Sequence, residues 1–426
     1  MIVNTEPPPS AILIGVQPSK QEGPFSITDS LLELGELART AGVRVCTMLH
    51  QNREFPHPGL YLGKGKVAEL KTLVEEHHAE VVIADDELTP SQQRNLETEL
   101  GVKIMDRTGL ILEIFSKRAR TFESQLQVEM AQLEYLRPRL TRMWTHLSRL
   151  GGGIGTKGPG EKQLEVDKRE IKKRVSTIKD KLEKIKMQRD TQRQRRHEVP
   201  LTAVAIIGYT NAGKSTLLNQ MTQAGVLSED LLFATLDPTT RRFNLPSNEH
   251  VLLTDTVGFI QKLPHQLVSS FRATLEEVVD ADLLLHVVDV THPNWQATVD
   301  TAQKLLVEMG AADIPQVMVF NKIDGLAHFD PAAPEFAQFP RRCFISARTG
   351  QRLESLIDIV DRFLAAQRKM MKFHIPYSRM DVVHMLHEYG LVKTVEYVDE
   401  IIVDVDINTI IGEKIMGAMY APQKKE

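Results

Sequence analysis

Cysteine is almost absent: Cys46 and Cys343 are the only two, far apart and in no C-x-x-C pair. That scarcity argues against a disulfide framework and a cysteine-ligated zinc site, and it fits a reducing, cytoplasmic compartment. No uncharged apolar stretch is long enough to cross a bilayer, so no transmembrane segment is expected and only peripheral membrane association stays open. The opening Met1-Ile2-Val3-Asn4-Thr5-Glu6-Pro7 has neither a basic region nor an apolar run, so no signal peptide is expected. Net charge is close to balance at -4, and partners must be read from how charge is distributed. The remaining composition, 42% hydrophobic and 25% charged over 426 residues, is that of an ordinary soluble protein with room for several domains.

The richest stretch is Gly208-Tyr209-Thr210-Asn211-Ala212-Gly213-Lys214-Ser215. It follows the apolar run Ala203-Val204-Ala205-Ile206-Ile207, which reads as a buried strand, and leads into Thr216-Leu217-Leu218-Asn219-Gln220-Met221, which has helical spacing. Strand, glycine loop and helix in that order let backbone N–H groups and the positive end of a helix converge on a polyphosphate. Lys214 then supplies a mobile positive charge to the outer phosphates, and the Ser215 hydroxyl can ligate Mg²⁺.

Further motifs follow in order. Phe233-Ala234-Thr235-Leu236-Asp237-Pro238-Thr239-Thr240-Arg241 carries threonines able to sense a γ-phosphate. The strand His250-Val251-Leu252-Leu253-Thr254 delivers Asp255-Thr256-Val257-Gly258, where a carboxylate can hold Mg²⁺ through water and a glycine can bring its N–H close to phosphate. Leu283 to Asp289 reads as another strand, and Val317 to Phe320 leads to Asn321-Lys322-Ile323-Asp324. Cys343-Phe344-Ile345 then ends at Ser346-Ala347-Arg348. Guanine offers two N–H donors that a single carboxylate accepts, so Asp324 selects it over adenine. Asn321 can tie the base loop to the phosphate loop, Lys322 can lay its stem over the purine, and an exposed Ala347 N–H can donate to the guanine carbonyl. GTP is the expected ligand, with GDP as the product.

Ahead of this domain, residues 1–108 alternate strands (Ala11–Val16, Val43–Met48, Val81–Ala84, Val102–Met105) with helices (Thr28–Ala41, Lys66–His78, Pro90–Leu100), which predicts a small parallel α/β domain. Leu31, Leu32, Leu34, Leu37 and Ala38 should face its core. Leu62-Gly63-Lys64-Gly65-Lys66 reads first as a plain turn into a helix, with binding of phosphate, such as that of RNA, as the alternative, since it lacks the full nucleotide spacing. Over residues 109–198 the spacing becomes heptad-like: Leu126, Met130, Leu133, Leu140, Trp144 and Leu147, with a kink expected at Pro138, then Leu164, Ile171, Val175, Ile178, Leu182 and Ile185. An antiparallel helical hairpin is expected, its tip the glycine-rich loop 151–160. Its second arm carries Lys168, Arg169, Lys172, Lys173, Arg174, Lys179, Lys181, Lys184, Lys186, Arg189, Arg193, Arg195 and Arg196, a concentration suited to RNA phosphates. A solvated coiled-coil face is the alternative. Beyond 199–366, Gln367 to Lys372 reads as a basic connector, and 372–426 as a small α+β domain with a helix near Arg379–Glu388 and strands near Val392–Tyr397 and Ile401–Val405. His384 and His387 on that helix have no third metal ligand nearby in sequence.

With Leu150-Gly151-Gly152-Gly153-Ile154-Gly155-Thr156-Lys157-Gly158-Pro159-Gly160-Glu161 ahead of Gly208–Ser215 and Asp255-Thr256-Val257-Gly258-Phe259-Ile260 after it, the chain resembles the translation-factor class of P-loop GTPases. Within that class it is similar to the Obg and HflX superfamily, and most to the HflX family. The resemblance implies an α/β P-loop GTPase that binds the large ribosomal subunit and its RNA and splits or rescues stalled or inactive ribosomes under heat or other stress. Its magnesium-sensing threonine maps to Thr235 ahead of Thr239 and Thr240. Lys214, Thr235 and Gly258 are then the catalytic candidates, Ser215, Thr235 and Asp255 the Mg²⁺ candidates, and Tyr209, Thr210, Ala212, Thr216, Phe233, Ala234, Thr256 and Val257 further nucleotide contacts. Phe259 stands where many relatives carry a water-orienting glutamine, and Asn211 resembles the asparagine that ligates K⁺ in some. The family's ATP use in its N-terminal region has no visible motif here. A monomer without DNA contact is expected. The rival reading is a signalling switch that recruits protein effectors through the hairpin.

Overall fold

The computed structural model describes residues 8–18, 25–140, 159–197, 201–222, 231–247, 249–262 and 277–420. They fall into two compact units. One holds the chain through Glu183 together with the described residues 231–237 and 259–262; the other holds the rest.

In the first unit, strands β1 (Ser10–Pro18), β2 (Arg44–Arg53), β3 (Val81–Ala84) and β4 (Lys103–Asp106) form a sheet in the order β2-β1-β3-β4. Every pairing is parallel, as expected from the alternation with helices α1 (Ile27–Ala41), α2 (Lys64–His77), α3 (Pro90–Leu100), α4 (Arg107–Arg118) and α5 (Phe122–Leu136). Burial on both faces explains why β1 and β3 are nearly continuous apolar runs. Helix ends follow side-chain chemistry. Ser26 and Asp29 form a capping box at the start of α1, and Gly42 closes it at φ 83°. Thr89 and Gln92 do the same for α3, with Pro90 in its first turn. One expectation fails: Leu32 is 55% exposed, because it sits on the solvent face of α1 beside the buried stripe Leu31, Leu34, Leu37 and Ala38.

α5 ends at Leu136, just before Pro138. The basic helix runs from Pro159 to His197; Val175 and Ile178 are buried on it, and Ile171, Leu182 and Ile185 half-buried, so its apolar stripe is present over the described side chains. Arg174 grips Glu129 with two hydrogen bonds of 2.6 and 2.9 Å, and Lys179 reaches Glu134 at 3.7 Å. These pairs are solvent-exposed and each is worth at most about 1 kcal/mol. Trp144, Leu147, the Leu164 side chain and residues 151–158 of the expected tip lie outside the described residues, while Pro159 and Gly160 already belong to the helix.

The second unit is built on a six-stranded sheet, β10-β9-β8-β5-β7-β6, made of β5 (Thr202–Gly208), β6 (Thr239–Asn244), β7 (His250–Asp255), β8 (Leu283–Asp289), β9 (Gln316–Asn321) and β10 (Arg342–Phe344). All neighbours are parallel except β6, an antiparallel edge strand that the apolar pattern did not announce. The parallel strands β5, β7, β9 and β10 each end at or just before a nucleotide motif, the placement that open α/β sheets give to ligands. After residue 367 the expected basic connector is instead part of a strand, β11 (Arg368–Ile375). It pairs with β13 (Ile401–Asn408), which pairs with β12 (Leu391–Tyr397), all antiparallel. Helices Met380–Tyr389 and Thr409–Tyr420 cover one face. His384 and His387 are exposed. Lys414 fixes this small domain to the six-stranded sheet by reaching Asp282 at 2.7 Å and the Leu201 carbonyl at 3.0 Å. Among the described residues no helix is long and apolar enough to cross a membrane.

The two cysteines differ in burial. Burial pushes the Cys343 thiol up to about 12, whereas Cys46 is half-buried on β2. Brief iodoacetamide treatment of the native protein read by peptide mass spectrometry is expected to modify Cys46 and spare Cys343, which becomes reactive only in denaturant. Equal labelling of the two would contradict the packing around β10.

Candidate nucleotide-binding site

The phosphate loop begins where β5 runs out of sheet. Gly208 adopts φ 145° and pairs with Val287 on β8; a Cβ there would lie 2.1 Å from the Val287 carbonyl oxygen, so no other residue fits. Gly213 is equally constrained: φ is 96°, and a Cβ would meet the Asn321 amide nitrogen at 2.2 Å. Between them Asn211 takes φ 59°, the left-handed conformation that asparagine tolerates best among non-glycine residues. The helix Lys214–Thr222 starts immediately after the loop and aims its N-terminal amides at the same space.

Lys214 is only 6% exposed, and its ammonium donates to the carbonyls of Gly208 (3.2 Å) and Tyr209 (2.8 Å), folding the loop around itself. Burial pushes this ammonium down to about 8, against the pull of the Asp255 carboxylate. The Ser215 hydroxyl donates to Asp255 Oδ2 at 2.6 Å, which brings together two of the three expected magnesium ligands. Thr256 turns inward and donates to the Ile206 carbonyl at 2.8 Å, so its side chain holds β5 instead of a ligand. Gly258 lies against the loop: a Cβ would stand 2.8 Å from Thr210 Cα and 2.9 Å from Lys214 Nζ. His286, buried on β8, is pushed down to about 4 by its burial and is neutral.

The base-recognition loops rest on an aromatic cluster. Phe320 contacts Trp295, Phe336 and Phe344 at ring-centroid distances of 5.3, 4.8 and 5.3 Å, which fixes the backbone one residue before Asn321. Asn321 donates to the Ala212 carbonyl at 2.8 Å, the link between base and phosphate loops expected from its position. It also accepts the Ala347 N–H at 2.8 Å; Ala347 is 1% exposed, so the exposed donor expected there is already committed. Lys322, at φ 66°, sends its ammonium to Asp289 at 2.7 Å. Asp324 receives hydrogen bonds from Ser346 and Arg348, which hold its carboxyl below the usual range. Of the remaining expected residues, Thr239 and Thr240 lie on β6, where the Thr240 hydroxyl meets that of Thr254 at 2.9 Å. Phe233, Ala234 and Thr235 belong to segment 231–237 of the first unit. Phe259 is 2% exposed and therefore a core residue.

Gly258→Ala has one cheap relief from its clash, a swing of the segment away from the loop, which spares contacts to the inner phosphates. Calorimetric titration is expected to show affinity for a non-hydrolysable GTP analogue falling about tenfold, with GDP affinity within about twofold of the parent. Unchanged affinity for the analogue would contradict the packing of Gly258 on Lys214.

Three family models match the chain: one described as GTP-binding GTPase N-terminal over residues 28–116, one as GTP-binding GTPase Middle Region over 118–196, and one as 50S ribosome-binding GTPase over 203–322. The GTPase HflX of Caldanaerobacter subterraneus is 49% identical over 382 residues, covering 90% of this chain and 87% of that protein. The GTPase HflX of Escherichia coli is 43% identical over 349 residues, with 82% of each chain covered. Among solved structures, a GTP-binding protein from the archaeon Sulfolobus solfataricus in complex with GDP aligns at 24% identity and a TM-score of 0.45, covering 83% of this chain and 98% of the other. Identity of that extent to curated relatives along most of their length places the chain in the HflX family, and it is a GTP hydrolase.

Proposed function

We propose that the chain binds the large ribosomal subunit and its RNA and uses GTP binding and hydrolysis to split or rescue stalled or inactive ribosomes under stress such as heat. The observation that carries this reading is the charge distribution. A chain with net charge -4 places a long run of lysine and arginine on one helix, Pro159–His197. Most of its described side chains are exposed, and each phosphate they neutralise releases counterions. The family model described as 50S ribosome-binding GTPase supports the same partner.

The chain carries groups suited to holding GTP and Mg²⁺ but not the one that orients water. Lys214 and the loop amides hold the β- and γ-phosphates, and the Gly258 N–H meets the γ-phosphate. Ser215 and Asp255, 2.6 Å apart, are the hard oxygen donors that would hold Mg²⁺, with Thr235 the third ligand expected from the motif order; the ion would supply charge to neutralise the phosphate oxygens. Asp324 reads the guanine N–H pair after displacing Arg348, whose side chain is 79% exposed and free to leave. Phe259 offers no hydrogen bond to orient an attacking water, so hydrolysis by the protein alone is slow and the ribosome supplies or arranges the missing group. Asn211 would hold a K⁺ ion, whose charge would stand in for that of an arginine finger.

Co-sedimentation of the full chain with ribosomes tests this reading. Binding is expected with a non-hydrolysable GTP analogue and is expected to be weak with GDP or without nucleotide. Absence from the ribosomal pellet in every nucleotide state would sink it and favour a signalling switch acting on protein effectors.

A further inference from the structure

In the first unit the strand order β2-β1-β3-β4 reverses direction between β1 and β3, and the carboxyl ends of those strands frame the crevice where sheets of this topology bind ligands. The chain's own residues fill it. Asp85 and Asp86 follow β3 directly, and the ammonium of Lys262 pairs with both, at 2.5 Å from Asp86. Arg107, 1% exposed, lies beneath. It pairs with Asp85 at 2.7 Å and Glu33 at 2.6 Å, and it donates to the backbone carbonyl of Gln261 at 3.3 Å. Tyr61 completes the set by donating to Asp86 at 2.6 Å. The cluster holds three carboxylates against two cations, so Lys262 is needed to offset the second aspartate. Lys262 takes φ 51°, a left-handed conformation that a lysine holds only when its surroundings enforce it.

Lys262 stands four residues after Gly258, and the intervening Phe259 and Ile260 are buried. The segment carrying Thr235 is anchored in the same unit. Asp237 accepts the Thr121 hydroxyl at 2.7 Å and the backbone N–H groups of Arg120 and Thr121 at 2.9 and 3.1 Å, where α5 begins. Phe233 meets Phe115 edge-on at 4.7 Å, and the Leu232 N–H donates to the Thr40 hydroxyl at 3.2 Å. Residues 232–237 and the segment 259–262 that follows Gly258 are therefore held by residues of the N-terminal sheet and helices.

We propose that Lys262 is a positioning residue for the GTP-bound state: through Asp85 and Asp86 it fixes the backbone that follows Gly258, so the γ-phosphate has less of that segment left to order. GDP, which does not reach Gly258, gains nothing from this arrangement. The coupling is a property of the GTPase by itself and does not depend on the ribosomal partner.

The test is nucleotide affinity of the full chain carrying Lys262→Met, Lys262→Arg or Asp86→Asn, each first checked for an unchanged circular dichroism spectrum. Lys262→Met is expected to weaken binding of a non-hydrolysable GTP analogue about fivefold while GDP affinity stays within about twofold. Lys262→Arg is expected to recover most of the loss, and Asp86→Asn to show a smaller loss of the same kind. Parent-like affinity for the analogue in Lys262→Met, or an equal loss for both nucleotides, would overturn the proposal.

Discussion

An ammonium group taken out of water must find oxygen partners, and Lys214 meets that requirement by bending the phosphate loop back on itself. Its bonds to the Gly208 and Tyr209 carbonyls set the loop's radius. Glycine is also demanded at 208 and 213, where φ is positive and the Val287 carbonyl of β8 and the Asn321 amide at the end of β9 approach closely. The depressed basicity of Lys214 marks the cost of this arrangement, which a polyphosphate offsets by supplying the opposite charge. Ser215, Asp255 and Gly258 are positioned by the same loop and by the two strands flanking β5.

Base recognition depends on a different kind of support. The Asn321 side chain bridges Ala212 and Ala347, so the phosphate loop and the two base loops share one hydrogen-bonded residue, and Phe320 anchors it to an aromatic cluster. Asp324 is presented on the short 3-10 turn Ile323–Gly325 that follows β9, while its present partner Arg348 is exposed. An acceptor whose counterion is easily displaced suits a site that must bind, release and rebind guanine.

Much of this was legible in the order of residues, because a phosphate loop works through backbone atoms and so demands particular residue types at fixed offsets. The strands were legible for a similar reason: burial on both faces leaves continuous apolar runs in β1, β3, β5 and β8. Other features escaped. β6, Thr-Thr-Arg-Arg-Phe-Asn, is an edge strand with little apolar alternation, and β11 hides its buried Phe373 and Ile375 behind basic residues on its open face. The Ala347 donor was misjudged because its partner, Asn321, lies 26 residues away. The Lys262 contacts with Asp85 and Asp86 span 177 and 176 residues, and no periodicity or spacing reports a pairing of that range.

Gly258 and Thr235 stand in segments whose neighbouring residues are anchored on the N-terminal sheet and helices, so a change at the γ-phosphate should be felt there. Hydrogen–deuterium exchange of the full chain with GDP and with a non-hydrolysable GTP analogue measures this directly. The expected result is slower exchange with the analogue at 231–237 and 259–262, extending to the amides around Asp85, Asp86 and Thr121. Exchange that differs between the two nucleotides only within the phosphate loop would contradict it.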